Sequence, residues 1–159
     1  MVIPAPDSAF FPPREGNVIT PLVDGGIAFD QIASTIESAT SSLWVCVAFL
    51  ETEATFPNGR GTFFDLLDDA ASRGLDVRAL IWQPEGPSAE ADDTLCADAK
   101  TAETLSMRNT QWQARWDAVG INCQHQKVWL IDAGTPNETA FVGGINITQV
   151  SMANQTHEE

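Results

Sequence analysis

At 159 residues, with 43% hydrophobic residues, five tryptophans and eight phenylalanines, the chain carries enough apolar material for one sizeable core, which excludes a disordered or fibrous polypeptide. Twenty-two acids against eight basic residues give a net charge of -14; such a field repels a long polyanion such as duplex DNA, and no cluster of Arg and Lys offers a basic groove to override it. The N-terminus has acids and prolines rather than a basic region followed by an apolar run, and no stretch is long enough to cross a bilayer, so the chain reads as soluble. Cys46, Cys96 and Cys123 are an odd number at no metal-ligand spacing, which points to a reducing, cytoplasmic compartment.

In chain order, Pro4, Pro6, Pro12 and Pro13 make residues 1–15 an irregular arm. Residues 17–23 read as a short strand ended by Asp24-Gly25-Gly26, with Asp24 suited to a helix N-cap or a turn. Phe29, Ile32, Ile36 and Ala39 recur at helical spacing up to about Thr40. Residues 43–50 are nearly all apolar, as expected for a central strand buried on both faces. After a loop over 51–61, a helix over 62–73 buries Phe63, Phe64, Leu66, Leu67 and Ala70 and stops at Gly74; a strand follows over 75–82. Residues 83–93 are a polar excursion, and 94–119 read as a helix with Leu105, Trp112 and Trp116 on its apolar side, ended by Gly120. A strand over 121–131 leads through a turn at 133–137 into a returning strand over 139–142. Helices alternating with strands predict an α/β sandwich on a mixed sheet.

The chemistry concentrates in that hairpin. His125 and Lys127 are two apart on a strand and so project from one side, while Asp132 closes the run on the opposite parity. Gly143-Gly144-Ile145-Asn146 follows the returning strand, with glycines that let a ligand approach the backbone and an amide that donates to phosphate oxygens. An isolated His125 would be read as a polar side chain at a sheet edge; here it stands beside Lys127, Asp132 and Asn146, a set suited to binding and attacking a phosphate. Cys123 shares a strand face with His125, and a Cys/His nucleophile pair is conceivable, but no oxyanion donor is identified and core packing explains it better. Trp112 and Trp116 suit core packing better than an interfacial lipid anchor. His157 beside Glu158 and Glu159 is a solvated tail, and the acids between Glu85 and Glu103 form neither a metal cage nor paired catalytic carboxylates.

His125-x-Lys127-x-x-x-x-Asp132 followed by Gly143-Gly144-x-Asn146 resembles the signature of the phospholipase D superfamily, and Leu22-x-Asp24-Gly25 with Ala70-Ala71-x-Arg73-Gly74-Leu75-x-Val77-Arg78 resembles that family's first βαβα segment. The likeness spans about residues 16–149; the loop between Asp132 and Gly143 is a few residues longer than the family usually shows. The resemblance implies a phospholipase D-like α/β sandwich with a mixed central sheet, in a parent of the two-motif, cardiolipin-synthase-like kind. It implies phosphodiester hydrolysis or phosphatidyl transfer on phospholipid or another phosphodiester through a phosphohistidine, without metal or organic cofactor. His125 is then nucleophile or general acid, Lys127 neutralises the non-bridging oxygens, Gly143, Gly144 and Asn146 bind the phosphate, and Asp132 holds a catalytic imidazole.

Residues 150–159 read as a polar tail, with neither the strand nor the helix that would close the first unit. A further expectation is therefore that the chain is the first half of its parent, inactive until a second motif supplies the acid. Nucleic acid is an unlikely substrate on charge grounds, although a nuclease on the same scaffold and a non-catalytic module remain as alternatives. Peripheral contact with a membrane is left open.

Overall fold

A computed structural model describes residues 16–82, 107–108, 111–117 and 124–153. The expectations for the arm at 1–15, the excursion at 83–93, Gly120, Cys96, Cys123 and His157 lie outside those residues.

The first helix, α1 (Gly25–Ser38), forms around the stripe Phe29, Ile32, Ala33 and Ile36, all buried. Asp24 takes the N-cap position at φ 69° without capping through its side chain. Strand β1 (Ser42–Val47) follows, then a 3-10 turn at Pro57–Gly59 and helix α2 (Phe63–Ser72). Thr62 and Asp65 close a reciprocal capping box at the start of α2, worth about 1 kcal/mol. Gly74, at φ 88°, supplies the left-handed stop that the sequence called for. The remaining elements are β2 (Asp76–Trp82), β3 (Gln113–Asp117), β4 (Lys127–Ile131), β5 (Thr139–Val142) and a one-turn helix α3 (Gln149–Met152).

The strands make one mixed sheet in the order β3-β2-β1-β4-β5. β1 runs parallel to β2 and β2 to β3, while β4 is antiparallel to both β1 and β5. Alternation puts Leu43, Val45, Val47, Val77, Ala79, Ile81, Trp129 and Ile131 on the buried face. Trp129 meets Phe56 and Phe63 edge-on there, with ring centroids 6.2 and 5.7 Å apart, so the core is locked by aromatic geometry as well as by area. Two arginines tie the layer together. Arg60 binds Asp30, Glu37 and Ser34 of α1, and Arg73 donates to the carbonyls of Ile36, Glu37 and Ala39, satisfying acceptors that the end of α1 leaves open. The opposite face is less covered: Trp44 and Leu80 are 36% and 38% exposed.

Four expectations need correction. Residues 17–23 form no strand: the segment contains Pro21, which cannot donate to a ladder, and Val18 and Ile19 stand out in solvent. Residues 113–117, expected inside a helix, are β3, paired with Arg78 to Trp82. Two residues four apart share a face at either period, so Trp112 and Trp116 fitted a helix as well as a strand. The strand leading to the hairpin begins at Lys127, with residues 124–126 irregular and 121–123 outside the described residues. Finally, residues 149–152 are helical rather than part of a polar tail. Thr148 caps α3 and Met152 is buried. The start of α1 packs against α3 so closely that a Cβ on Gly25 would lie 1.6 Å from the Ser151 carbonyl oxygen; the glycine is there for space.

Candidate active site

Two opposite ends of β4 carry the sequence-predicted polar residues. At its start, Lys127 is 4% exposed although it is charged. Its Nζ donates to the main-chain oxygen of His125 at 3.3 Å and lies 5.5 Å from the centroid of the Phe49 ring, a cation–π contact that offsets part of the cost of burial. The exposed imidazole of His125 meets the same Phe49 ring edge-on, at 5.4 Å and 73°. Phe49 is held in turn by Trp82, at 5.2 Å and 69°. One aromatic ring therefore contacts both the imidazole and the ammonium, although His125 precedes the strand and is exposed while Lys127 is buried.

The hairpin return reaches the same end. The Gly143 amide donates to the Lys127 carbonyl at 3.1 Å, continuing the β4–β5 ladder. Gly143 and Gly144 are exposed and do not adopt the left-handed conformation, and a Cβ on either would meet nothing within 4 Å. Neither turn nor packing demands a glycine there; what the pair leaves is open backbone. Beyond them the chain turns in, the Ile147 amide donating to Phe49 O at 3.2 Å and the Glu51 amide to Ile147 O at 2.8 Å. That places half-buried Asn146 next to the residue pinned on Phe49. Among the described residues its Oδ1 is buried and finds no hydrogen-bond donor, a state that costs about 1–3 kcal/mol.

Asp132 sits at the other end. Its carboxylate accepts the amides of Ser41 at 2.7 Å, Thr40 at 3.0 Å and Ser42 at 3.2 Å, and the Thr40 hydroxyl at 3.4 Å. Burial pushes its carboxyl up, but these hydrogen bonds outweigh it and hold the group below the usual carboxylate range. Within this chain Asp132 organises the loop between α1 and β1, and His125 lies at the far end of the strand. Its φ of 53° suits a short polar residue at a sharp turn.

Sequence reasoning missed Phe49 and Gln124. Gln124 Nε2 donates to Val47 O at 3.1 Å, while its Oε1 accepts from the Gln126 amide at 3.2 Å and from Cys46 Sγ at 3.3 Å, fixing the approach to His125. Phe49 falls in the apolar run 43–50, where nothing local marks one aromatic as contacting polar groups. The Cys46 thiol is pushed up by burial and by the charge of Asp117, and so stays protonated. Among the described residues no three His, Cys, Asp or Glu side chains come together in a way that could hold a metal ion, and no helix is long and apolar enough to cross a membrane.

With a mixed sheet and a His–Lys pair opposite a glycine-rich return, comparison with known proteins becomes decisive. Residues 32–159 match the family described as cardiolipin synthase, PLD-like domain. The chain belongs to that family. It is also similar to phospholipase D zeta 1 of Arabidopsis thaliana, 24% identical over 149 residues, which cover 87% of this chain. The matched stretch is only 13% of that plant protein. Membership of a PLD-like family points to phosphodiesterase or phospholipid-related chemistry, and the family and the mixed α/β sheet agree with what the hairpin motif and its upstream segment implied.

Proposed function

We propose that this domain contributes one half of a phospholipase D-type active site acting on phospholipid. The reading rests above all on one observation: the single ring of Phe49 contacts both His125 and Lys127. In this reading neutral His125 attacks phosphorus through a ring nitrogen, a P–N bond forms and the P–O bond to the leaving alcohol breaks. Lys127, the Asn146 amide and the open backbone at Gly143 and Gly144 stabilise the charge on the non-bridging oxygens. The leaving alkoxide needs a proton, which the histidine of a second motif supplies; water or another alcohol then cleaves the phosphohistidine and regenerates His125. Asp132 contributes by fixing the frame around β4. Cytoplasmic placement with peripheral contact at a membrane fits this reading, and the net charge of -14 turns it away from nucleic acid.

The test joins this chain to a second motif-bearing half, assays phospholipid and DNA in EDTA, and repeats the assay with His125→Asn. Phospholipid turnover lost in the variant supports the reading. His125-independent turnover, robust DNA cleavage, or substantial turnover by this chain alone would overturn it or its need for a second half.

A further inference from the structure

A cavity of about 600 Å³ lies between residues 18–22, α1 and the β4–β5 hairpin. Protein interiors are packed with few voids larger than a water molecule, whereas ligand pockets fall in roughly the 300–1,000 Å³ range, so this space is of the size that holds a ligand. Its walls are Phe29 and Ile32 from α1, Trp129 from β4, and Phe141 and Ile145 from the hairpin return. Apart from the Thr20 hydroxyl and the Trp129 indole, Lys127 brings the only polar side chain to the lining. A base or sugar would find almost no hydrogen-bond partners there. At the rim Val18, Ile19 and Val142 are 92%, 84% and 78% exposed, an apolar fringe that water disfavours.

Lys127 and Gly143 belong both to this cavity and to the His125 end of β4. The apolar space therefore opens beside the candidate phosphate site. Lys127 is the one cation in the cavity lining, so an anionic head is drawn to that end of the cavity. We infer that the cavity takes one hydrocarbon chain of a phospholipid, with the phosphate at Lys127 and Gly143. The inference rests on the proposed function and deepens it: the enzyme distinguishes phospholipid from other phosphodiesters by an acyl chain held next to the reacting phosphorus.

The test titrates the full chain with dimethyl phosphate and with methyl butyl, methyl octyl and methyl decyl phosphate, each below its aggregation threshold. Calorimetry reads affinity, and the imidazole proton resonances of His125 read phosphate contact. Affinity should rise by up to about fourfold per methylene, the factor that about 0.8 kcal/mol per buried CH₂ gives. That rise should flatten in Ile19→Asp, which puts a charge at the rim on a residue already in solvent, and in Ala28→Leu, which fills the cavity from a helical position. If dimethyl phosphate moves His125 but chain length makes no difference, the cavity is closed or filled by the chain's own residues; the inference falls and the phosphodiester reading stands. If no ester binds and His125 does not move, both fall. A rise with chain length that both variants leave intact would also overturn the assignment, because the chain would then bind elsewhere.

Discussion

Asp132 accepts the amide hydrogen of Ser41 at 2.7 Å across 91 residues of sequence, and the neighbouring amides of Thr40 and Ser42 share the same carboxylate. The motif's acid thus fastens the entrance of β1 to the exit of β4. Asp132→Ala would strand buried amides, and hydrogen bonds to a charged acceptor contribute roughly 1.5–3 kcal/mol each; with partial relaxation we expect a loss of about 2–4 kcal/mol. Urea denaturation checks it. If the residue served a catalytic imidazole instead, the variant would keep its stability and the titration of His125 would move.

The same carboxylate predicts a pH dependence. Its folded pKa lies below the value of about 3.9 for an unperturbed Asp, so its contribution to stability is complete above that value and fades as pH falls through the depressed folded pKa. The gap in stability between wild type and Asp132→Asn should therefore be constant from pH 5 to 7 and narrow below pH 4 or so. A gap that stayed constant under acid would show that the charge plays no part.

On the proposed function Phe49 is a positioning residue that the sequence did not announce. Phe49→Leu removes the ring that contacts both His125 and Lys127, and small misplacements of reacting groups cost up to about a hundredfold in rate. In the assembled two-motif enzyme we expect kcat to fall tenfold to a hundredfold with KM little changed, and Phe49→Tyr to restore it. If Phe49 only filled space, leucine would cost stability without selectively lowering kcat.

Trp112 donates its indole N–H to Asp68 at 2.6 Å and stacks on Phe64 at 6.2 Å and 16°. Trp112→Phe keeps the stack and removes the hydrogen bond to a carboxylate that also pairs with Arg108, so a loss of about 1–3 kcal/mol is expected. Vesicle binding should not change. A drop in lipid affinity at unchanged stability would restore the reading of this residue as an interfacial anchor.

What could be read in advance divides along physical lines. The hairpin was legible because His125, Lys127 and Asn146 are chemically unusual and closely spaced, and α1 and α2 because their apolar spacing admits one period. β3 was illegible because Trp112 and Trp116 satisfy both periods, and pairing with Arg78 to Trp82 decides the matter from a distant part of the chain. The missing strand at 17–23 is the same lesson reversed: its residues have strand composition, but no described strand pairs with them. Phe49 gained its contacts with His125 and Lys127 only through what the fold puts beside it, and Asp132 was recognised as important while its partners, ninety residues away, were not.

Gly25 joins the first described helix to the last by the absence of a side chain, the Ser151 carbonyl occupying the space a methyl group would need. Elements so far apart in sequence cannot then loosen separately. Opening the first turn of α1 removes the surface on which α3 rests, so the amides of the two should exchange with solvent as one cooperative unit. The same helix α1 supplies Ala28, Phe29 and Ile32 to the wall of the apolar cavity, so this latch and the cavity share one element.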